Sequence, residues 1–183
     1  MIRLNVIKII SKFIENDIII SANGFISRDL FSSLEKKTNF YMIGSMGLAS
    51  SIGLGIALKK PKKRIVVFDG DGNILMNLGS LVTIGALQPK NFVHIIFDNN
   101  IHESTGGQPT HSTEIDLAKI GKSTKYKVFK IKTEKSLKNI FENLKKENGP
   151  ILIIINIKKT NIKSSRVEIP PEKIKERFIK SIN

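Results

Sequence analysis

The sequence has no cysteine and no tryptophan, and it contains no long apolar run. Without cysteine there are no disulfides, thiolate metal sites or cysteine nucleophiles, and a reducing compartment is the expected setting. The longest apolar runs, at 18–22 and 151–155, have the length of a strand and are too short to cross a membrane. The N-terminus lacks the apolar core and cleavage site of a signal peptide. We therefore expect a cytoplasmic protein with no membrane partner.

Acidic residues are scarce relative to basic ones, at 16 against 30, which gives a formal net charge of +14. One interpretation of such a charge is a nucleic-acid-binding face. However, the lysines are spread along the chain, without a tight basic block or interleaved aromatic residues. This distribution favours a solvated basic surface and no nucleic-acid partner. Part of the charge could instead attract anionic ligands.

Strand-like and helix-like segments alternate along a chain whose length suits one compact domain. Near-continuous apolar strands joined by helices predict an α/β fold, with a mostly parallel sheet covered by helices on both faces. No repeat or linker interrupts it, so residues 1–183 are predicted to be a single domain. Ser27 is a candidate N-cap. The predicted strands are 18–21, 64–69, 92–97, 128–131 and 150–157, and the predicted helices are 2–15, 76–87, 134–146, one from Ser27 and one from Pro170 or Pro171. A further helix of small residues is predicted between the glycine-rich loop at Gly44 and Pro61, and it should pack very close to the sheet or to another helix.

Polar residues follow two successive predicted strands. The first strand ends in Asp-Gly-Asp-Gly-Asn at 69–73, and the second ends in Asp-Asn-Asn at 98–100. Either string alone is an ordinary turn or loop. Together they lie where ligands bind in parallel sheets, and they offer the carboxylate and amide oxygens that suit Mg²⁺. Flanking glycines let backbone N–H groups approach phosphate closely. The pair therefore predicts a magnesium-diphosphate site.

The same strings resemble the diphosphate-binding motif of thiamine-diphosphate enzymes, which pairs Gly70-Asp71-Gly72 with a later Asn99-Asn100. Gly-Ser-Met-Gly at 44–47 is similar to the loop that this family places under the cofactor's aminopyrimidine. With the segments 23–30 and 102–110, the chain resembles the cofactor-binding part of phosphonopyruvate and sulfopyruvate decarboxylases. The resemblance covers about residues 18–157 and implies the thiamine-diphosphate-binding fold.

The resemblance implies a metal site formed by three residues. Asp71 matches the Mg²⁺-binding aspartate. Alignment of the downstream His102-Glu103-Ser string makes Asn99 the amide ligand, whereas the generic Asn-Asn motif selects Asn100, and this choice stays open. With Asn99 as the ligand, Ile101 gives its backbone carbonyl to the metal.

The resemblance also implies how the cofactor is held. Gly72 and Asn73 match the positions that bind the diphosphate, next to Gly70. Asp69 and Asp98 are expected beside the same phosphate end. Met46 matches the bulky residue that keeps the cofactor bent, and a flexible thioether fills such a gap well. Beside it in the same loop lie Ser45 and Gly44, whose carbonyl accepts a hydrogen bond from the pyrimidine amino group.

Three further residues are candidates for substrate chemistry. His102 and Glu103 follow the metal loop, where the substrate approaches, and are assigned catalytic roles. Arg28 either holds an anionic head group or is an ordinary surface arginine. His94 lies inside a strand and is interpreted as structural.

The resemblance implies a two-chain enzyme. The glutamate that activates the cofactor belongs to a separate pyrimidine-binding domain, for which this chain has no room. We expect a partner subunit, a hetero-oligomer, and no activity without the partner. The predicted reaction is decarboxylation of 3-sulfopyruvate or 3-phosphonopyruvate, both small anionic 2-oxo acids, to CO₂ and an aldehyde. The alternatives are a subunit of an acetolactate-synthase-like enzyme or 2-oxo acid oxidoreductase, and a non-catalytic cofactor-binding relic.

Overall fold

A computed structural model describes all residues from Met1 to Asn183. Eight strands and eight helices alternate along it. The strands are β1 (Ile18–Ser21), β2 (Asn39–Tyr41), β3 (Ile65–Gly70), β4 (Phe92–Asp98), β5 (Ile101–His102), β6 (Gln108–Pro109), β7 (Lys127–Ile131) and β8 (Ile151–Asn156). The helices are α1 (Arg3–Ser11), α2 (Phe25–Ser33), α3 (Ala49–Lys59), α4 (Asp71–Leu75), α5 (Gly79–Leu87), α6 (Leu117–Ser123), α7 (Glu134–Asn143) and α8 (Pro171–Ile182).

Six of these strands form one parallel sheet in the order β2-β1-β3-β4-β8-β7. Strands β1, β3 and β4 are buried along their whole length, which is why their sequences are nearly all apolar. Strands β5 and β6 form a separate small antiparallel pair. The predicted fold class is therefore confirmed. No helix is both long and apolar enough to span a membrane.

Helices cover both faces of the sheet. Successive side chains of a strand point to opposite faces. On one face, a Cβ added to Gly53 of α3 would lie 2.4 Å from Val67, so only glycine permits this close packing. On the other face, Ile26 of α2 approaches Gly70. The small-residue helix after the Gly44–Gly47 loop thus packs closely on the sheet, as its sequence predicts.

The structure departs from the sequence prediction mainly at short elements. The sequence did not predict β2, α4 or α6, because three to seven residues give too little periodicity to recognise. Ser27 is not the N-cap of α2; that position is Gly24, which has a positive φ of 82°. Ser27 lies inside the helix, and its hydroxyl donates to the Ala22 carbonyl at 2.8 Å.

The order of the strands reverses beside β1, because β2 lies on one side of it and β3 on the other. Parallel sheets bind ligands at the carboxyl ends of strands next to such a reversal. Two further segments reach this end of the sheet. Ile2 pairs with Lys158, and the Lys158 amide donates to the Met1 carbonyl at 2.7 Å.

Candidate active site

A small open cleft lies at the carboxyl ends of β1, β3 and β4. It brings together both motifs that the sequence singled out, together with the loop after β2. Its lining comprises Arg3, Phe25, Ile26, Met46, Gly70, Asp71, Gly72, Asn73, Phe97, Asn99, Ile101, His102, Glu103 and Ser104.

Asp71 is the buried acid of this cleft, with 3% of its surface exposed. Its carboxylate accepts hydrogen bonds from the hydroxyls of Thr110 and Ser112, and it forms no ion pair. Burial raises the pKa of Asp71 above its ordinary value; the Thr110 hydrogen bond lowers it and the nearby Asp98 carboxylate raises it further. A buried carboxylate without a cationic partner is costly unless a metal ion or proton compensates it.

The protein alone offers few metal ligands here. No group of three or more His, Cys, Asp or Glu side chains gathers anywhere in the structure in a way that could hold a metal ion. Mg²⁺ characteristically binds one or two carboxylates and completes its shell with phosphate oxygens and water. The site therefore fits Mg²⁺ bound together with a diphosphate, and it does not fit a metal held by protein side chains alone.

Asn99 and Asn100 occupy different environments. Asn99 lines the same cleft as Asp71, and its Nδ2 lies 3.3 Å from the Glu103 carboxylate. Asn100 instead lines a second crevice, where its Nδ2 donates to Asp98 at 2.9 Å and to Ser112 at 2.6 Å. This arrangement favours Asn99 as the metal ligand. Ile101 also lines the cleft that contains Asp71.

Gly72 lies in close contact with the His102 ring. A Cβ at this position would lie 2.6 Å from Cε1 of His102, so any larger residue would have to displace the histidine ring. The neighbouring Asn73 donates from Nδ2 to Oδ1 of Asn23 at 2.9 Å, which joins the end of β3 to the end of β1. Since Gly72 and Asn73 lie in the first turn of α4, their N–H groups have no intrahelical acceptors.

The loop from Gly44 to Gly47 turns sharply at the mouth of the cleft. Ser45 and Gly47 have positive φ angles of 55° and 89°. Met46 is half-buried and lines the cleft, as expected for a residue that supports the cofactor. Gly44 and Ser45 are exposed at the edge and do not line the cleft itself.

The two candidate catalytic residues, His102 and Glu103, differ in how firmly hydrogen bonds hold their side chains. The His102 ring has no hydrogen-bond partner and faces Gly72. Glu103 is fixed, because Arg3 donates to it at 2.7 Å and also binds Asp29 at 2.7 Å. Glu103 also accepts a hydrogen bond from Nδ2 of Asn99 at 3.3 Å, so the carboxylate that Arg3 holds in place orients the Asn99 amide. No sequence pattern identified Arg3, which lies 100 residues away along the chain.

Two other acidic residues do not lie where the sequence led us to expect them. Asp69 and Asp98 were expected beside the phosphate end of the site. Asp69 is fully buried, lies outside the cleft, and bonds to Nε2 of His94 at 3.1 Å. Asp98 faces the second crevice. Strand ends were predictable, but the direction of each side chain was not. His94 is buried in the sheet, as its structural interpretation requires.

Arg28 does not line the cleft. Its guanidinium lies 4.9 Å from the centre of the Phe25 ring, in a cation–π contact on the outer side of α2. A role for Arg28 in binding the substrate's anionic head stays a prediction from sequence.

The two asparagines give a direct test of the metal site. We expect Asn99→Ala to weaken Mg²⁺ binding in the presence of thiamine diphosphate by roughly tenfold or more, about 1.4 kcal/mol. Asn100→Ala should mainly lower stability, because Asn100 has a φ of 63°, which costs alanine about 1–2 kcal/mol. Asn100→Gly is the matched control, since glycine adopts this conformation freely. Calorimetric titration and thermal melts separate the effects; a larger loss of metal affinity in Asn100→Gly than in Asn99→Ala contradicts the assignment.

Comparison with known proteins agrees with this geometry. Residues 28–155 match the family model described as thiamine pyrophosphate enzyme, C-terminal TPP binding domain. An X-ray structure of a thiamin diphosphate-dependent enzyme from Mycobacterium smegmatis superposes with a TM-score of 0.75 at 16% identity, over 87% of this chain and 32% of that one. The structural likeness shows the fold, and the family match defines the class: a thiamine-diphosphate-binding domain.

Individual relatives identify the family more closely. The chain is 43% identical over 181 residues to the sulfopyruvate decarboxylase subunit beta of Methanocaldococcus jannaschii, covering 96% of each. It is 37% identical over 162 residues to the phosphonopyruvate decarboxylase of Streptomyces viridochromogenes, covering 87% of this chain but 41% of that protein. The chain belongs to the family of sulfopyruvate decarboxylase beta subunits.

Proposed function

We propose that this chain, acting as one domain over residues 1–183, is the thiamine-diphosphate- and Mg²⁺-binding subunit of a 2-oxo acid decarboxylase. The observation that carries the proposal is the buried Asp71 carboxylate, which has no cationic partner and lies in one cleft with Asn99 and Gly72. A cytoplasmic location stays a prediction from the sequence.

The proposed roles of the binding residues rest on the family resemblance together with their positions. Asp71, the Asn99 amide and the Ile101 carbonyl would hold Mg²⁺, and the amides around Gly72 with the Asn73 side chain would hold the diphosphate. Met46 would support the bend of the cofactor, while Gly44 would accept the pyrimidine amino group through its carbonyl. Gly70 and Ser45 keep the two loops in shape. Because one carboxylate binds Mg²⁺ weakly, metal and cofactor should bind cooperatively.

The chemistry divides between cofactor and protein. Thiamine diphosphate supplies an electron sink for the decarboxylation of 2-oxo acids. His102 is the residue of this chain best placed to contact the substrate, because its ring is free of hydrogen bonds and faces the cleft. It can pair with an anionic group or donate a proton at a ring nitrogen. Glu103, bound by Arg3, acts by fixing the Asn99 amide.

The proposed substrate is 3-sulfopyruvate, with 3-phosphonopyruvate as the second candidate. The relative of matching length acts on sulfopyruvate by its name, while the phosphonopyruvate relative is more than twice as long as the matched region. Both substrates carry two anionic groups, which suits a basic chain.

The test is an assay of the two-subunit complex. We expect the chain, co-purified with a pyrimidine-binding partner from the same organism, to release CO₂ from 3-sulfopyruvate in the presence of Mg²⁺ and thiamine diphosphate. A higher kcat/KM for 3-phosphonopyruvate would make that acid, and not 3-sulfopyruvate, the preferred substrate. A complex that binds the cofactor but decarboxylates neither acid would refute the proposal.

A further inference from the structure

Two segments of this highly charged chain carry no charge at all. Charged residues make up 25% of the sequence, yet none occurs in 42–58 or in 72–89. These segments include all of α5, all of α3 except Lys59 and all of α4 except Asp71. Surface helices normally place charged residues on the side that faces water.

The exposed sides of α3 and α5 lie next to each other. The helices meet where the hydroxyl of Ser50 donates to that of Ser80 at 2.9 Å. Each helix turns a stripe of small or apolar residues outward at helical spacing, and we call the two stripes together with Ile43 and Met76 the uncharged face. The stripes consist of Leu48, Ser51, Gly55 and Leu58 on α3, and of Val82, Thr83, Ala86 and Leu87 on α5.

Apolar exposure is concentrated on this face. Six of the nine large hydrophobic side chains that are exposed in the protein belong to it; the other three are Ile115, Ile162 and Ile179. Val82 is 60% exposed and Met76 is 63% exposed. A contiguous apolar patch of this kind marks a site of protein association, whereas scattered single residues do not.

The uncharged face is continuous with the cofactor cleft. Asn77 donates to the Gly47 carbonyl at 3.1 Å, and a Cβ on Gly47 would lie 3.2 Å from Cβ of Met76. The Gly44–Gly47 loop therefore joins the patch to Met46 in the cleft. A subunit that brings a carboxylate to the pyrimidine side of this loop must lie over the adjoining surface.

The partner that covers the uncharged face is expected to be a different chain and not a second copy of this one. Two copies would each bring a net charge of +14 and repel each other. In addition, the phosphonopyruvate decarboxylase relative is matched over only 41% of its length, so more than half of that protein lies outside the part that corresponds to this chain.

We propose that the uncharged face, which includes Leu58 and Val82, is the docking surface for the pyrimidine-binding subunit. The proposal rests on the proposed function and adds to it the surface through which the two subunits assemble. The partner is expected to present an apolar helical face without charged residues, because an unpaired buried charge at the interface is costly.

The experiment compares matched charge insertions. Val82→Glu and Leu58→Glu place a carboxylate on the face, and Ile179→Glu places one on α8, where the side chain is 47% exposed against 49% for Leu58. Association with the purified partner subunit is measured by sedimentation velocity, and folding is checked by thermal melts of each isolated variant. We expect at least tenfold weaker association for Val82→Glu and Leu58→Glu. Ile179→Glu should associate as tightly as the wild type.

The outcomes are distinguishable from those of the activity assay. Normal association of Val82→Glu and Leu58→Glu overturns the docking proposal, even if the wild-type complex is an active decarboxylase. Self-association of the isolated chain that Val82→Glu abolishes would instead identify a second copy as the occupant, and also overturns it. Weakened association of both variants supports docking even if neither oxo acid is a substrate.

Discussion

Asp71→Asn is expected to abolish the Mg²⁺-dependent binding of thiamine diphosphate to the subunit complex. The substitution keeps the shape of the side chain but removes the one carboxylate that the cleft offers to the metal. Opposite unit charges about 4 Å apart attract by about 4 kcal/mol at an effective dielectric constant of about 20, which corresponds to nearly 1000-fold in affinity. Isothermal titration of the complex with cofactor at fixed Mg²⁺ measures the loss.

The same variant should be more stable than the wild type in the absence of cofactor. Burial raises the pKa of Asp71, so the folded protein holds this proton more tightly than the unfolded chain does. The resulting penalty is absent below the unfolded pKa of about 3.9, grows as the pH rises from there to the folded pKa, and is fully present above it. At neutral pH, Asp71→Asn removes it.

Asp17→Asn is the matched control for both measurements. Asp17 is also buried, but Arg64 neutralises it with bonds of 2.8 and 2.6 Å at the opposite end of the sheet. We expect this variant to melt at a lower temperature and to bind the cofactor normally. Unchanged cofactor affinity in Asp71→Asn would remove Asp71 from the site.

The isolated chain, saturated with Mg²⁺ and thiamine diphosphate, should turn over 2-oxo acids at least roughly 100- to 10,000-fold more slowly than the complex, the range contributed by one general acid or base. The cleft contains only two carboxylates, those of Asp71 and Glu103. The first is assigned to the metal and the second is bound by Arg3. Neither is free to bond the pyrimidine ring.

The partner dependence is measured by titrating the partner subunit into the isolated chain and following CO₂ release. Activity should rise in proportion to complex formation and saturate at equal subunit concentrations. Cofactor occupancy of the isolated chain must be determined in parallel, so that inactivity is not mistaken for lack of binding. Enzyme-like rates in a preparation free of partner would contradict the expectation.

The sequence predicted those parts of the site that depend on strand order. Asp71 and Asn99 follow neighbouring parallel strands, so their closeness follows from the sheet alone. The different directions of Asn99 and Asn100 could not be predicted, because they depend on the left-handed backbone at Asn100 and on its bonds to Asp98 and Ser112.

Long-range ion pairs and short elements were beyond sequence reasoning for a different reason. Arg3 lies on α1 in a region of helical periodicity, and nothing local distinguishes it from a surface arginine. Its function as a partner of Glu103 arises only when α1 packs beside the metal loop. Similarly, Asp-Gly-Asp-Gly indicated a turn, whereas the structure begins α4 at Asp71 itself.

The pairing of Ile2 with Lys158 sets the order of events during synthesis. The first turn of the protein leaves the ribosome early, yet its strand partner is made 156 residues later, since 158 − 2 = 156. At about 5–20 residues per second, that interval is on the order of 10 to 30 s. Arg3 must therefore wait, without its buried carboxylate at Glu103, until more than half of the chain has emerged. The cleft therefore cannot be completed by Arg3 until Glu103 has been made, and the N-terminal segment is not fixed at this edge of the sheet until Lys158 follows.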